Sequence, residues 1–530
     1  MTQASESSAP ARSSIATDAL SGFLVFLIAL PLCLGIAMAS GFPPVAGVLT
    51  AIVGGILVSF IGSAELTIKG PAAGLIVIAL GAVNELGGGD PVLGYRRALA
   101  VGAVAAVVQI IIALTRAGVV ASVMPPSVVH GMLAAIGVII IAKQTPIMVG
   151  VQGAHGEPLE MLMEIPHYLA ESNPEVLLIG AISLVTLVVL PRIPGVKKVP
   201  APMVALLLTV PLGMALQFGE PHSYAFSGHT YELGPKFLVQ LPGNLLDAIT
   251  FPDFSVVFTG ASIKYIVMFA LVGSVESLLS VIAVDAMDPE KHVSDLNKDL
   301  LATGIGNLVC AFIGGLPMIS EIVRSKANID AGAKSKWSNF FHGLFLLLFV
   351  ALLPGLLQQI PLAALAAMLV FTGARLASPK EFHHTWQIGG DQFAVFVTTF
   401  LVTLATDLLV GVGVGLVLKV VLHLARGASP VAMFRSPVEV QREGDRLRIV
   451  VRGPAVFTNL LPVRKVLSSV DESVKRVEID VTGATLLDHT FLEKMHLAAN
   501  EFDQAEFHIV GLDKLRASSP HPFATRRGAA

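Results

Sequence analysis

The sequence predicts an all-α polytopic membrane protein with fourteen transmembrane segments in a 7+7 inverted repeat, followed by a small cytoplasmic α/β domain. Three observations predict it. Hydrophobic residues make up 54% of the chain and charged residues only 14%, with a mean hydropathy of +0.75, far from the balance of soluble domains. Apolar stretches of membrane-spanning length follow one another from about Ala19 to Leu424. From about Ser436 charges become frequent and short strand-like runs alternate with amphipathic ones.

The first seventeen residues are polar and Ser/Ala-rich, which predicts a disordered cytoplasmic tail over 1–17 and no cleaved signal peptide. The transport domain is placed at 18–426. Its first seven apolar windows lie near 19–39, 43–61, 71–86, 96–115, 118–142, 174–191 and 199–217. A polar connection precedes a second set near 263–284, 300–314, 317–332, 338–357, 361–377, 391–406 and 408–424. An odd number per half makes the second half enter from the opposite side, the relation of an inverted repeat. Phe26 to Ala37 and Phe269 to Ala283 are similar, and Gly/Pro interruptions fall at matching places: Lys69-Gly70-Pro71 in the third window, Gly314-Gly315-Leu316-Pro317 before the tenth.

Lysine and arginine counts orient the chain. Arg116, Arg192, Lys197, Lys198, Lys291, Lys298, Lys326, Lys334, Lys336 and Lys380 fall in connections on the side of the N-terminus. The connection from Gln144 to Glu175 carries neither residue type, and Arg96 and Arg97 are the exceptions. This positive-inside bias puts both ends in the cytoplasm and the protein in the cell inner membrane. In the soluble domain, placed at 436–517, Arg446–Val451, Arg476–Val481 and Phe507–Val510 read as strands, and Thr458–Ser469 and Thr490–Asp503 as helices. The linker Arg426–Pro430 and the tail 518–530 are expected to be flexible.

A Pro/Gly break at membrane depth is tolerated only inside packed protein or beside a cavity, because lipid satisfies no backbone polar group. Half-helices beginning near Pro71 and Met318 would turn their electropositive ends toward a shared pocket, an arrangement that suits an anion. Gly70, Ala72, Ala73 and Gly74 are small enough for close backbone approach. Glu276 stands in an apolar stretch where a carboxylate costs about 2.5–3.5 kcal/mol. The reading is a group that loads a proton or cation, with Ser277 and Ser280 completing a polar pocket; the alternative is a hydrogen bond to a neighbouring segment. Lys69 and Arg324 either concentrate anions, pair with Glu276 or Glu321, or snorkel to the surface. His130 and Asp407 read as structural, and His383 and His384 lack further ligands at metal spacing.

A net charge of −3 without a basic block argues against nucleic acid. No Gly-Lys dipeptide exists for a phosphate-binding loop, and hydrolase motifs are missing, so neither an enzyme nor a self-contained ATP-driven pump is expected. No cofactor or metal is implied. Cys33 and Cys310 lie in apolar segments and read as small hydrophobes.

The chain resembles the SulP sulfate-permease family, bacterial relatives of the solute-carrier anion exchangers. The resemblance runs from Ala19 to about Arg516. It is carried by Ala29-Leu-Pro-Leu-Cys-Leu-Gly-Ile-Ala37, Ser40-Gly-Phe-Pro-Pro44, Gly70-Pro-Ala-Ala-Gly74, Met124-Pro-Pro-Ser-Val-Val-His-Gly131, Asn297 with Asp299, Gly314-Gly-Leu-Pro317, Arg324-Ser325, Asn328 with Gly332 and Asp407-Leu-Leu-Val-Gly411. It implies a core-and-gate fold, elevator-like motion, a homodimer and a cytoplasmic STAS domain. It also implies an anion held between Ile68, Gly70, Pro71 and Ala72 on one side and Ile322, Val323 and Arg324 on the other, with Lys69 an unusual added cation. Glu276 matches the carboxylate used for proton or sodium coupling, and Val323 replaces a hydroxyl residue of several relatives. The STAS likeness rests on Ile479-Asp-Val-Thr-Gly-Ala-Thr-Leu-Leu-Asp488, where His489 replaces a phosphorylatable residue; docking to a protein partner or dimerisation fits this better than a phosphoswitch. The expected substrate is bicarbonate or sulfate. An uncoupled exchanger or channel-like conductor, a C4-dicarboxylate symporter and a membrane anion sensor signalling through STAS are the alternatives.

Overall fold

The structure, a computed structural model, describes residues 11–116, 124–154, 156–196, 199–435, 438–467, 470, 473–499 and 506–528. Residues 1–10, Lys197, Lys198, Ser436, Ser469, Asp503 and the last two residues lie outside the described residues. The chain divides into two compact units, one of residues 1–118 and 139–373, the other of 119–138 and 374–530.

Among the described residues, eight helices are long and apolar enough to cross a membrane: Ile15–Ala39, Pro44–Ile61, Pro91–Leu114, Pro126–Val149, Pro174–Arg192, Gly260–Met287, Leu362–Ile388 and Leu408–Ala425. Shorter apolar helices occupy Ala73–Gly87, Ala201–Ala215, Trp337–Leu352 and Gly390–Ala405. The chain is thus a multi-pass membrane protein with helix in each apolar window. Local chemistry sets the helix starts. Asp90, Asn173 and Asp295 each accept two hydrogen bonds from the first turn of the helix they precede, and Asp407 accepts one from Val410. Pro91 and Pro174 occupy the first helical position, where their missing N–H is no loss.

In the first unit the expected interruptions are strands. β1 (Ile68–Pro71) precedes the helical stretch Ala73–Gly87, and a hairpin of β2 (His222–Phe226) and β3 (His229–Leu233) fills part of the polar connection. β4 (Met318–Glu321) runs directly into the helix Ile322–Asp330. The expected disorder of the 1–17 tail is corrected over 11–17, which are helical. Asp18 is fully buried and fastens this helix by accepting from the backbone N–H groups of Lys334 and Ser335 and from Ser335 Oγ.

In the second unit, β5 (Val438–Glu443), β6 (Arg446–Val451), β8 (Arg476–Asp480) and β10 (Glu506–Val510) form a sheet ordered β10-β8-β6-β5, with β6, β8 and β10 parallel. A second sheet orders β11 (Leu515–Ala517), β12 (Arg526–Gly528), β9 (Ala484–Leu487) and β7 (Gly453–Ala455). Ile449, Val477, Ile479 and Val481 alternate into a core shared with Leu460 and Val463 of the helix Leu460–Leu467 and Phe491 and Met495 of the helix His489–Ala499. The flexible tail expected over 518–530 is also corrected over its described residues, 518–528. β12 pairs on both sides, with β11 and β9, and Ala524 and Thr525 are buried. Its Ser/Pro/Arg composition carries no hydrophobic period, so ladder hydrogen bonds, which sequence does not display, hold it.

Candidate functional site

The two interruptions meet. β1 and β4 pair antiparallel in the register Ile68↔Glu321, Lys69↔Ser320, Gly70↔Ile319 and Pro71↔Met318. Helices are expected to begin near Pro71 and Met318; both points are extended, and helix starts two and four residues on, at Ala73 and Ile322. Residues preceding proline are driven out of the helical region, which applies to Gly70 and Leu316, and proline has no N–H to continue a helix.

Every exit from helix geometry here leaves polar backbone to be satisfied, and specific side chains do so. The Met318 N–H donates to Asn307 Oδ1 at 2.6 Å, while Asn307 Nδ2 donates to Met318 O at 3.3 Å and to Gln109 Oε1 at 2.8 Å. Thr50 Oγ1 donates to Leu316 O at 3.0 Å and Tyr95 Oη to Gly314 O at 2.7 Å. Gly314 has φ +92°, a conformation open to glycine. Around β1, the Ile68 N–H donates to Ser325 Oγ at 2.8 Å, and Asn328 Nδ2 to Leu66 O at 3.1 Å. These partners come from helices far apart in sequence, so the crossing is a packed junction of the first unit.

Arg324 is the largest fully buried side chain among the described residues, 1% exposed. Its Nη1 donates to Cys33 Sγ at 3.4 Å, and a Cβ on Gly70 would lie 2.5 Å from the same nitrogen. Its Nε and Nη2 have no hydrogen-bond partner among the described residues. The guanidinium therefore lies against the β1 backbone with donors to spare, and its charge is felt by Glu321, which lies beside the Ala73 N–H at the start of the Ala73–Gly87 stretch. His342 is also fully buried, with both ring nitrogens unpartnered among the described residues and Arg324 close enough to act on its charge.

Glu276 comes to the same place from the helix Gly260–Met287. Its carboxylate presses on Gly74, where any Cβ would collide with it, and its Oε2 has no partner among the described residues. Ser277 accepts from the Ser320 N–H at 3.1 Å and so ties this helix to β4, while Ser280 is buried one turn further along. Ile68 and Ala72 are buried, and Ile322 and Val323 present exposed side chains at the first turn of their helix.

Lys69 departs from expectation. It neither snorkels nor meets Glu276. Its ammonium, 2% exposed, is held by Asp299, 0% exposed, and by Ser320 Oγ at 2.6 Å. The sequence reading missed Asn307, Gln109, Ser320 and His342; polar residues inside apolar stretches were the available signal. Among the described residues no cluster of His, Cys, Asp and Glu has the geometry to hold a metal.

The sequence matches the Sulfate permease family over residues 15–399. This chain belongs to that family. Proteins similar to it include the putative sulfate transporter YvdB of Bacillus subtilis (strain 168), 28% identical over 84% of this chain and 81% of YvdB. The bicarbonate transporter BicA of Picosynechococcus sp. is 25% identical over 78% of this chain and 71% of BicA. Murine Solute Carrier 26 family member A9, solved as an anion transporter in the inward-facing state, superposes with a TM-score of 0.67 at 16% identity, covering 94% of this chain and 86% of that one. At that identity the likeness establishes a shared fold.

Proposed function

We propose that the protein is a secondary active transporter of a small inorganic anion, bicarbonate or sulfate, driven by a proton or sodium gradient. The observation that carries this is the buried Arg324 guanidinium, packed on Gly70 at the paired interruptions with two donors that have no partner among the described residues. A buried charge retained without its full set of partners is costly. An oxyanion offers that guanidinium the acceptors it lacks, and two N–H donors in a plane match its geometry. In this reading the anion lies between Gly70, Pro71 and Ala72 and the Ile322–Arg324 turn. Arg324 neutralises it.

Glu276 supplies the coupling. Its Oε2 has no partner among the described residues, so loading a proton or sodium ion there removes a charge that would repel the anion. The names of relatives support bicarbonate or sulfate as cargo. The wider reading has fourteen spans in two inverted halves, an elevator-type movement, a homodimer in the inner membrane, and a cytoplasmic STAS domain at 438–528. In the second unit Asp488 is fully buried, 3.2 Å from His423 and 3.8 Å from Lys419 of the last apolar helix, which supports a docking role for that domain.

The test is uptake of labelled bicarbonate, sulfate and fumarate into proteoliposomes under separate proton and sodium gradients. Accumulation of one of the first two, abolished by Glu276→Gln, is expected. Binding of anions without movement, or gradient-driven uptake undiminished in Glu276→Gln, contradicts the proposal.

A further inference from the structure

The Lys69–Asp299 pair asks for an account, because two ions sealed inside a membrane protein cost more than a neutral pair of the same shape. Asp299 belongs to the helix Leu296–Ile313, and its other oxygen reaches the Ala64 N–H at 3.4 Å, on the approach to β1. Its Oδ2 takes both the Lys69 ammonium and, at 3.4 Å, Ser320 Oγ. Ser320 is the strand partner of Lys69 and lies 3.3 Å from Ser277 Oγ, next in sequence to Glu276. A hydrogen-bonded chain thus runs from Asp299 through Lys69 and Ser320 to the helix that carries Glu276.

The charges at this junction divide into sets. Arg324 acts on Glu321, and Lys69 is in contact with Asp299, while Glu276 has Glu321 as a like-charged neighbour and an oxygen without a partner. Asp285, further along the Glu276 helix, also feels the charge of Asp299 and is itself held by the N–H and hydroxyl of Ser294. Without an ammonium at position 69, Asp299 would be a second buried acid beside the anion path.

We infer that Lys69 is a built-in counter-cation that neutralises Asp299 permanently, withdraws it from the loading cycle and leaves cation coupling to Glu276 and its neighbour Glu321, the two junction acids with an unpartnered oxygen among the described residues. This rests on the transport reading given above. Lys69 is then a positioning and specificity-determining residue: it sets how many cations accompany each anion, and it fixes the register that places Gly70 under Arg324. The residue makes no contact with the anion in this account.

The experiment measures labelled anion uptake by full-length protein in proteoliposomes over a range of pH for wild type, Lys69→Met, Lys69→Arg and the double variant Lys69→Met/Asp299→Asn. Lys69→Met leaves Asp299 an unpaired buried anion, so uptake at neutral pH falls by about tenfold or more. Lys69→Arg keeps most of the activity. The double variant, which removes both charges, regains uptake. A purely structural tether gives a different result, with the double variant no better than the single, and that overturns the inference. Wild-type rate and pH profile in Lys69→Met overturn it as well. Should Lys69→Met not yield monodisperse protein, Asp299→Asn takes its place: the unpaired ammonium impairs uptake and adding Lys69→Met restores it, whereas no restoration counts against the inference. Absence of anion uptake by wild type under every gradient would instead contradict the transport reading itself.

Discussion

Gly70→Ala separates the chemistry of the junction from its stability. The added Cβ would lie 2.5 Å from Arg324 Nη1 and no nearer than 3.9 Å to its next neighbour, Ala51. Ordinary contact requires the guanidinium to retreat by about 1 Å. Arg324 is 1% exposed, so this retreat is not a free swing into solvent; it pulls the donors away from their working position. Gly70 is not among the glycines with positive φ, so its backbone accepts alanine, and the change in folding stability stays within about 1 kcal/mol. A hydrogen bond to a charged group contributes about 1.5–3 kcal/mol, so loss of one raises the KM for the anion by about 10- to 100-fold. The assay is initial-rate uptake into proteoliposomes at varied anion concentration, with a thermal unfolding scan of the same preparation. An unchanged melting temperature with a KM within about twofold of wild type would refute the placement of the anion against Arg324.

Asn307→Ala leaves the buried Met318 N–H without its 2.6 Å acceptor and Gln109 without its donor, and destabilises the protein by about 2–4 kcal/mol in an unfolding scan. A second expectation concerns pH and the soluble region. Burial holds the His489 imidazole below its ordinary pKa, even though its ring nitrogen meets the Phe523 carbonyl at 2.9 Å. The unfolded chain then binds the proton more readily than the folded one. This contribution to stability is present above about pH 6.5 and is lost as pH falls through the lower folded value, at no more than about 1.4 kcal/mol per pH unit. His489→Asn should remove that part of the pH dependence of unfolding; an unchanged profile would contradict it.

Membrane helices were legible because an apolar window of the right length has few other uses, and the two interruptions were legible because proline lacks an N–H and glycine lacks a side chain. Their pairing was not. Strands of four residues carry no usable period, and the partners Lys69 and Ser320 are 251 positions apart. For the same reason Lys69 read as a cation beside an anion site: nothing local points to Asp299, 230 positions on. Arg324 was legible as a charge at the tenth window, while its burial and unused donors come from packing by Gly70 and Cys33. The ordered end of the chain was missed because β12 is held by neighbours on both sides and contributes little apolar surface of its own.

The account depends on an anion bound by Arg324 where β1 meets β4. The most direct measurement compares labelled sulfate and bicarbonate uptake by wild type and by Arg324→Gln, both reconstituted as monodisperse protein and driven by the same gradient. Gln keeps a polar, hydrogen-bonding side chain but removes the charge, so the account predicts loss of accumulation in the variant. Accumulation by Arg324→Gln at the wild-type rate and KM would contradict it.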